Sequence, residues 1–167
     1  MIERQKKILQ LLDTSGERLH RLLGRLTRRE DVVSDLLQEL FIRLWNSGAF
    51  DKAEDPFAYA YRAAINLAFE WRRKQKAMCK ISQENCPAPK DNPSALGKMI
   101  QAEELEQVLN AASKLSDLAR DVVVMRYIEQ DSYEEIGRRL DKKPQYMRAL
   151  SAKAMAQLRE MLAKEKG

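Results

Sequence analysis

Residues 132–150 read SYEEIGRRLDKKPQYMRAL, and this pattern predicts two helices joined by a tight turn. Ser132 and Glu135 have the spacing of a capping box, in which the serine hydroxyl accepts a hydrogen bond from the third backbone N–H of the helix. Pro144 is favoured at the first position of the second helix. The stretch therefore predicts a helix-turn-helix, with Gly137 where the two helices approach most closely. The contacts between the helices are assigned to Ile136, Leu140, Met147 and Leu150.

Two residues of the turn depart from the usual helix-turn-helix pattern. Asp141 stands where glycine is common, and Lys142 stands where an apolar residue usually follows. Aspartate can adopt left-handed backbone dihedrals, because its short side chain can hydrogen-bond locally. The tight turn is therefore still expected.

The predicted pair of helices is strongly basic. Between residues 138 and 159 there are seven basic residues and one acidic residue, Asp141. The basic residues are Arg138, Arg139, Lys142, Lys143, Arg148, Lys153 and Arg159. Such a charge suits phosphates, and an α-helix fits the major groove of DNA. DNA binding is favoured over the simpler interpretation, a helical hairpin with a solvated basic face.

Composition restricts the class of protein. The chain has 167 residues and a net charge of +5, with 44% apolar and 33% charged residues, so it forms one medium domain or two small ones. Six Gly and five Pro leave little room for the turns of an all-β fold. Neither a membrane-spanning apolar run nor a signal peptide is recognised, so a soluble cytoplasmic protein is expected.

The side chains of most hydrolytic and redox sites are scarce. His20 is the only histidine, and no catalytic residue, metal site or cofactor is expected. Cys79 and Cys86 could form a redox pair or bind a metal with His20. Their separation in a linker favours ordinary reduced thiols instead.

Charge and proline divide the chain into three parts. Net charge is +4 over residues 1–77, −2 over 78–111 and +3 over 112–167. The prolines of residues 86–93 cannot continue a helix, so residues 78–93 are interpreted as a linker. We predict an all-α fold of two small helical domains, residues 1–77 and 100–167. A flexible linker, residues 78–99, joins them, and the second domain contains the helix-turn-helix.

Apolar spacing predicts the helices of the first domain. A helix or pair of helices fills residues 3–27, with an interruption expected at Ser15 and Gly16. A second helix covers about residues 30–46. After a loop at residues 47–55, a third runs from Pro56 to Arg73 with Asp55 as its N-cap.

Two stripes of polar residues follow these helices. One is acidic and polar, and its simplest interpretation is a solvated face; it contains Asp31, Asp35, Gln38, Glu39 and Ile42. The other is basic and contains Arg62, Asn66, Phe69 and Arg73. Positive charge, an amide and an aromatic ring together suit melted or single-stranded DNA. Phe69 and Trp71 fit the core equally well.

These features resemble the sigma factors of bacterial RNA polymerase, in particular the small two-domain extracytoplasmic-function (ECF) group. Residues 31–45, DVVSDLLQELFIRLW, look like the family's second conserved region, which docks on the polymerase. Residues 55–68, DPFAYAYRAAINLA, look like the part that melts and reads the minus-ten promoter element. Residues 115–126, LSDLARDVVVMR, and 132–137, SYEEIG, look like the fourth region, which binds the minus-thirty-five element.

The resemblance implies a sigma factor that binds core RNA polymerase and directs promoter-specific transcription initiation. It assigns polymerase docking to Asp35, Gln38, Glu39 and Arg43. Asn66, with the loop at residues 47–55, would hold a flipped minus-ten base. The backbone of the melted strand would be met by Arg62, Arg72 and Arg73. Contacts to the minus-thirty-five duplex are assigned to Lys143, Gln145, Tyr146, Arg148 and Lys153.

Three residues of the second helix depart from the family pattern. Ala149, Leu150 and Ala152 stand where relatives usually place Ser, Arg and a larger side chain. Base readout by this helix is therefore expected to be reduced or differently specified. Members of the family are commonly held inactive by an anti-sigma factor, so the resemblance suggests such a partner as well.

Other classes of function predict different behaviour. A stand-alone helix-turn-helix regulator would keep sequence-specific binding after deletion of residues 1–77. A helical adaptor that binds only protein would lose no activity on Arg148→Ala. Catalysis is the weakest alternative, since no nucleophile and base pair is visible.

Overall fold

The structure is a computed structural model, and it describes residues 2–82 and 102–166 of the chain. The chain divides into two compact units, Met1–Lys90 and Asp91–Gly167. Every element in the described residues is helical, which confirms the all-α fold, and the second unit contains the predicted helix-turn-helix. Most of the predicted linker, residues 83–99, lies outside the described residues.

In residues 2–82, the first unit has two long helices and two shorter ones. The elements are α1 (Ile2–Thr27), a 3-10 turn (Glu30–Val32), α2 (Val33–Trp45), α3 (Gly48–Lys52) and α4 (Pro56–Ser82). Asp55 caps α4 as predicted, because its Oδ1 accepts from the backbone N–H of Ala58 at 3.1 Å. The unit's apolar core lies between α1, α2 and α4. Its fully buried side chains include Leu19, Leu22, Leu23, Leu26, Leu40, Leu44, Phe50, Tyr61 and Ile65.

Two sequence-based boundaries in the first unit were wrong, and of the two alternatives for residues 3–27 the single helix is found, without the interruption expected at Ser15 and Gly16. α1 is continuous, because a single glycine inside a helix costs only about 1 kcal/mol and the buried leucine face continues past Gly16. The predicted loop at residues 47–55 contains α3, whose N-cap is Ser47. α4 extends from its predicted end at Arg73 to Ser82, into the segment interpreted as linker. Its added residues are mostly good helix formers and include no proline or glycine.

The second unit has four α-helices within the described residues. They are α5 (Ala102–Ala112), α6 (Asp117–Val123), α7 (Tyr133–Leu140) and α8 (Pro144–Lys166), with a π-helical turn, Val124–Ile128, after α6. Serine hydroxyls cap two of them: the Ser116 Oγ accepts from Ala119 N at 3.3 Å, and the Ser132 Oγ accepts from Glu135 N at 3.2 Å. The second bond confirms the predicted cap of the helix-turn-helix. The core includes Val122, Val124, Met125, Ile136, Met147, Ala154 and Leu158.

The turn between α7 and α8 has the geometry that the sequence predicts. Asp141 is left-handed, with φ of 56° and ψ of 50°, and the Lys142 N–H donates to the carbonyl of Gly137 at 2.8 Å. A Cβ atom at position 137 would lie 2.5 Å from the Lys142 carbonyl oxygen. The two helices can approach this closely only because residue 137 is glycine.

This contact yields a stability prediction with a matched control. Gly137→Ala should lower the free energy of unfolding by about 1–3 kcal/mol, because the backbone at Lys142 must move. Gly16→Ala should instead raise it by about 0.5–1 kcal/mol, since the new methyl meets only the Leu12 side chain at 3.4 Å. Urea unfolding followed by circular dichroism measures both. Equal effects from the two substitutions would contradict the close approach.

Candidate functional site

The outward face of α8 begins directly after the turn. All five residues assigned to the minus-thirty-five element are exposed, whereas Met147, Ala154 and Leu158 are buried on the opposite side of the helix. Helical spacing places Gln145, Arg148, Ala149 and Ala152 in one exposed strip. Leu150 is only half-buried and lies at the edge of this face, so it contributes less to the core than predicted.

An open concavity lies beside this face, at the turn. Its volume is about 600 Å³, and its lining residues are Gly137, Arg138, Asp141, Lys142, Lys143 and Tyr146. Three of these residues are basic, and Tyr146 is half exposed (50%). The concavity therefore presents positive charge and one aromatic ring next to the start of α8, an arrangement that suits a phosphate backbone and a base edge.

Arg148 is held in place by a tyrosine that the sequence did not single out. Its guanidinium lies 5.3 Å from the centre of the Tyr133 ring, and that of Arg126 lies 4.5 Å from the same ring. The Tyr133 hydroxyl donates to the Ser151 Oγ at 3.2 Å, which fixes the ring between α7 and α8. Tyr133 thus restricts the positions that Arg148 can adopt on the outward face.

Arg139 does not belong to the exposed basic surface. Its side chain is only 8% exposed and pairs with the equally buried Asp131 at 2.7 Å. The Glu135 carboxylate lies 3.7 Å from the same guanidinium. The capping-box pattern predicts instead that this carboxylate turns back towards Ser132. Arg139 therefore joins α7 to the segment before it, and the positive field of this surface comes from the other basic residues.

In the first unit, α2 carries the predicted polar stripe on an exposed face. Asp35, Gln38 and Glu39 are exposed, and so is Ile42, at 51%. Asp31 is exposed on the 3-10 turn, where its carboxylate pairs with Arg29. An apolar groove of about 390 Å³ adjoins the stripe between α1 and α2. Its lining residues are Ile8, Leu12, Gln38, Phe41, Ile42 and Trp45.

Arg43 lies at the edge of this stripe and has partners within the chain. It donates to the Glu70 carboxylate on α4 at 3.0 and 3.3 Å and to Glu39 at 3.2 Å. The hydrogen bond from Arg43 lowers the pKa of Glu70 below its ordinary value of 4.5. The bridge between α2 and α4 is therefore complete above that value and is lost as the pH falls through the lowered pKa.

The stripe on α4 is narrower than predicted. Arg62, Asn66 and Arg73 are exposed on one face, but Phe69 is fully buried. Arg72 is also buried, and its Nη1 donates to the Leu26 carbonyl at 3.1 Å. The structure thus does not support the contacts to DNA suggested for Phe69 and Arg72, because both side chains pack inward and Arg72 satisfies the end of α1.

Other candidate chemistry is limited. Cys79 on α4 is disulfide-bonded, which corrects the expectation of a reduced thiol there; Cys86, the only other cysteine of the sequence, lies outside the described residues. Within residues 2–82 and 102–166, no group of three or more His, Cys, Asp or Glu side chains could hold a metal ion. No helix in the same ranges is long and apolar enough to cross a membrane.

Comparison with known families matches both units. Residues 11–78 match Sigma-70 region 2, and residues 111–160 match Sigma-70, region 4. The two matches together cover more than half of the chain. The fold and the exposed faces therefore define a two-region protein of the sigma-70 class.

Curated relatives narrow this class. The chain is 25% identical over 134 residues to "ECF RNA polymerase sigma factor SigK" of Mycobacterium sp. (strain KMS), covering 78% of this chain and 69% of that protein. It is 31% identical over 171 residues to "ECF RNA polymerase sigma factor SigE" of Mycolicibacterium smegmatis, covering 93% of this chain and 61% of that protein. The chain belongs to the ECF sigma factors of RNA polymerase.

Membership fixes the general function. Sigma factors bind core RNA polymerase and promoter DNA to start transcription, regions 2 and 4 recognise the minus-ten and minus-thirty-five elements, and the family is not enzymatic. A solved structure has a similar fold: the sigma factor RpoE of Bartonella quintana, crystallised with the anti-sigma factor NepR. Its TM-score is 0.52 at 17% identity, over 98% of each chain.

Proposed function

We propose that three exposed faces divide the work of promoter recognition in this sigma factor. The α2 stripe docks on core polymerase, the α4 stripe with the 47–55 segment takes the melted minus-ten strand, and the outward face of α8 reads the minus-thirty-five duplex. One observation supports this most strongly: each face is exposed and carries polar side chains, on the side of its helix away from the core.

Docking on polymerase rests on the α2 stripe and its groove. Asp35, Gln38 and Glu39 offer charge and hydrogen-bonding groups, and the adjoining groove adds apolar surface through Leu12 and Ile42. Gln38 belongs to both features. An apolar centre beside a charged rim is typical of protein interfaces. Arg43 is a positioning residue in this proposal, because it joins α2 to α4.

The minus-ten role rests on Arg62, Asn66 and Arg73. The two arginines meet the phosphate backbone, while the Asn66 amide can bond the edge of an unstacked base. Tyr59 is half-buried and lies on the same side of α4, about one turn before Arg62, and its hydroxyl lies 2.8 Å from the Ser47 Oγ. That bond brings the 47–55 segment next to the stripe, where it can form one side of a base pocket.

The minus-thirty-five role rests on α8 and the concavity. Gln145 and Arg148 lie on the strip opposite the core, and Tyr146 and Lys153 lie on the strip beside it. Ala149 and Ala152 lie on the same outward face and have small side chains, so the helix can approach the major groove of DNA closely. Their methyl groups can contact a thymine methyl. Promoter preference should therefore depend on Gln145, Tyr146 and Arg148 more than on positions 149, 150 and 152.

The division into residues 1–77 and 100–167 assigns these roles to separate domains. The intervening residues, 78–99, of which 78–82 belong to α4, would let polymerase hold both DNA contacts at a fixed spacing, which makes the second contact intramolecular. We also propose a cytoplasmic location, where transcription occurs, and an anti-sigma factor that covers the docking face. The proposed anti-sigma factor is supported by the similar fold of RpoE, which was crystallised with the anti-sigma factor NepR.

Run-off transcription tests the whole proposal. Core RNA polymerase is incubated with a genomic fragment library, with and without this chain, after co-purification has measured binding to core. New start sites that share two upstream elements would establish the function and give the promoter sequence. Failure to bind core, with duplex binding retained by residues 112–167, would identify a stand-alone regulator instead.

Arg148 gives a specific test of the α8 face. Arg148→Ala should weaken binding to a promoter recovered by the run-off experiment by about 1–3 kcal/mol, because it removes a preorganised cation from the outward face. Lys164→Ala, which removes an exposed cation from the far end of the same helix, is the matched control. Fluorescence anisotropy with the duplex measures both. Equal affinities for the two variants would remove Arg148 from the interface.

A further inference from the structure

The 47–55 segment is held by the first two turns of α1. Lys7 donates from its ammonium group to three backbone carbonyls, those of Phe50 at 2.8 Å and of Asp51 and Ala53 at 3.1 Å each. An ammonium has three protons, so these bonds use its whole donor capacity. The carbonyls lie at the end of α3, where a helix leaves acceptors unsatisfied and attracts a cation.

Arg4 makes a second set of contacts with the same segment. Its Nε donates to the Asp51 Oδ1 at 2.8 Å, and its Nη2 pairs with the other carboxylate oxygen. Its Nη1 donates to the Trp45 carbonyl at 2.5 Å. One guanidinium thus joins the end of α2 to α3, and the pKa of Asp51 is lowered mainly by this hydrogen bond. The bidentate geometry fixes orientation as well as distance.

The opposite side of the segment contacts α4. Besides the bond between Ser47 and Tyr59, the rings of Phe50 and Tyr59 lie 5.8 Å apart. Phe50 is fully buried, and the Lys7 ammonium lies 5.0 Å from its ring centre. α3 has five residues, too few to be stable as an isolated helix. Its position therefore depends on contacts with α1 and α4.

We infer that Lys7 and Arg4 are positioning residues for minus-ten recognition: they hold the 47–55 segment in register with Tyr59 and Asn66. This inference rests on the proposed role of that segment. The residues that they contact in the segment lie more than forty positions later in the sequence. Lys7 bonds to the backbone of the segment, and Arg4 bonds to its Asp51 carboxylate. Their side chains act on DNA only through the segment.

Four variants test the inference in the full chain. Lys7→Met keeps most of the length of the side chain and removes its three donors. Arg4→Met keeps the aliphatic part of the arginine and removes the guanidinium with its five N–H donors. Lys7→Arg restores a cation at the same site. Lys6→Met removes an exposed neighbouring lysine and is the matched control. Each is assayed with core polymerase on a promoter from the run-off experiment and on copies carrying a single substituted minus-ten base.

The expected result is a loss of discrimination rather than a general loss of function. Lys7→Met and Arg4→Met should reduce the preference for the correct minus-ten base by about tenfold, roughly what a well-placed base contact contributes. Permanganate reactivity of the melted strand should fall in parallel. Core affinity should stay within about twofold of the unsubstituted chain in every variant. The preference for the minus-ten base should also stay within about twofold in Lys6→Met. Lys7→Arg should keep most of this preference, since its guanidinium places a cation at the same site.

A purely structural role would give a different pattern. Lower thermal stability and weaker core binding with an unchanged preference for the minus-ten base would overturn the inference. Asn66→Ala separates this outcome from failure of the proposed function. If Asn66→Ala alters the preference and Lys7→Met does not, the inference fails; if neither alters it, the assigned site of minus-ten recognition fails as well.

Discussion

Core RNA polymerase should no longer retain this chain when Asp35 and Glu39 are both changed to arginine. The two carboxylates are exposed one helical turn apart in the middle of the α2 stripe. The substitutions replace two negative charges by two positive ones. The new charges repel the positive polymerase surface that, in this proposal, faces the α2 stripe. Close charge pairs at interfaces couple by several kcal/mol, so the expected loss is about 4 kcal/mol, or roughly a thousandfold in Kd. Co-purification and titration with labelled core measure it.

The matched control is Asp13→Arg with Glu17→Arg. This pair has the same spacing and the same change of net charge, and it is exposed on α1, on a different side of that helix from the groove residues Ile8 and Leu12. Both double variants should fold, since none of the four carboxylates is buried. Tight binding by the α2 variant, or equal losses in both, would reject the docking face.

Asp131→Ala should cause a large loss of stability in the second unit. It removes the buried carboxylate 2.7 Å from the Arg139 guanidinium, whose side chain is 8% exposed, and leaves the more exposed Glu135 carboxylate at 3.7 Å. Breaking a buried pair by removing one partner typically costs about 3–5 kcal/mol, because the remaining charge stays desolvated. Arg139 belongs to α7, which packs against α8 in the helix-turn-helix. Affinity for the minus-thirty-five duplex should therefore fall as this unit loses stability. Urea unfolding and amide hydrogen exchange of α7 and α8 measure the loss.

Two comparisons separate this effect from general damage. The double variant Asp131→Leu with Arg139→Met replaces the pair by apolar side chains and should recover most of the stability. Tryptophan fluorescence supplies an internal control, because Trp45 and Trp71 are the only tryptophans and both lie in the first unit. An equal shift of the tryptophan signal, or a double variant as unstable as Asp131→Ala, would count against the pair.

Local rules predicted the helix-turn-helix well. Ser132, Gly137 and Asp141 each carry a signal that acts within a few residues: a cap, a missing Cβ and a tolerated left-handed conformation. Such interactions do not depend on distant parts of the chain. The outward positions on α8 followed from the same helix by periodicity.

Periodicity could not show what packs against the edge of a stripe. Phe69 has the spacing of a DNA-facing residue, and the family resemblance assigned Arg72 to the melted strand, yet α1 and the core enclose both of them. By sequence Arg139 belongs to the basic run of the helix-turn-helix, but in the structure its side chain is buried beside Asp131. The contacts of Arg4 and Lys7 join residues far apart in sequence. The basic residues near the start of the sequence do not indicate which distant residues they contact. Tertiary contacts of this kind are absent from any local pattern.

The separation of α8 into a packed side and an outward side has an evolutionary consequence. The exposed residues of the outward side lie opposite the buried residues of the packed side: Gln145, Arg148, Ala149 and Ala152 against Met147, Ala154 and Leu158. The turn before α8 depends on Gly137 and Asp141 and on none of the outward residues. Substitutions on the outward side usually change stability by less than about 0.5 kcal/mol. Duplicated copies of this gene can therefore diverge in the promoters they select while keeping an intact fold.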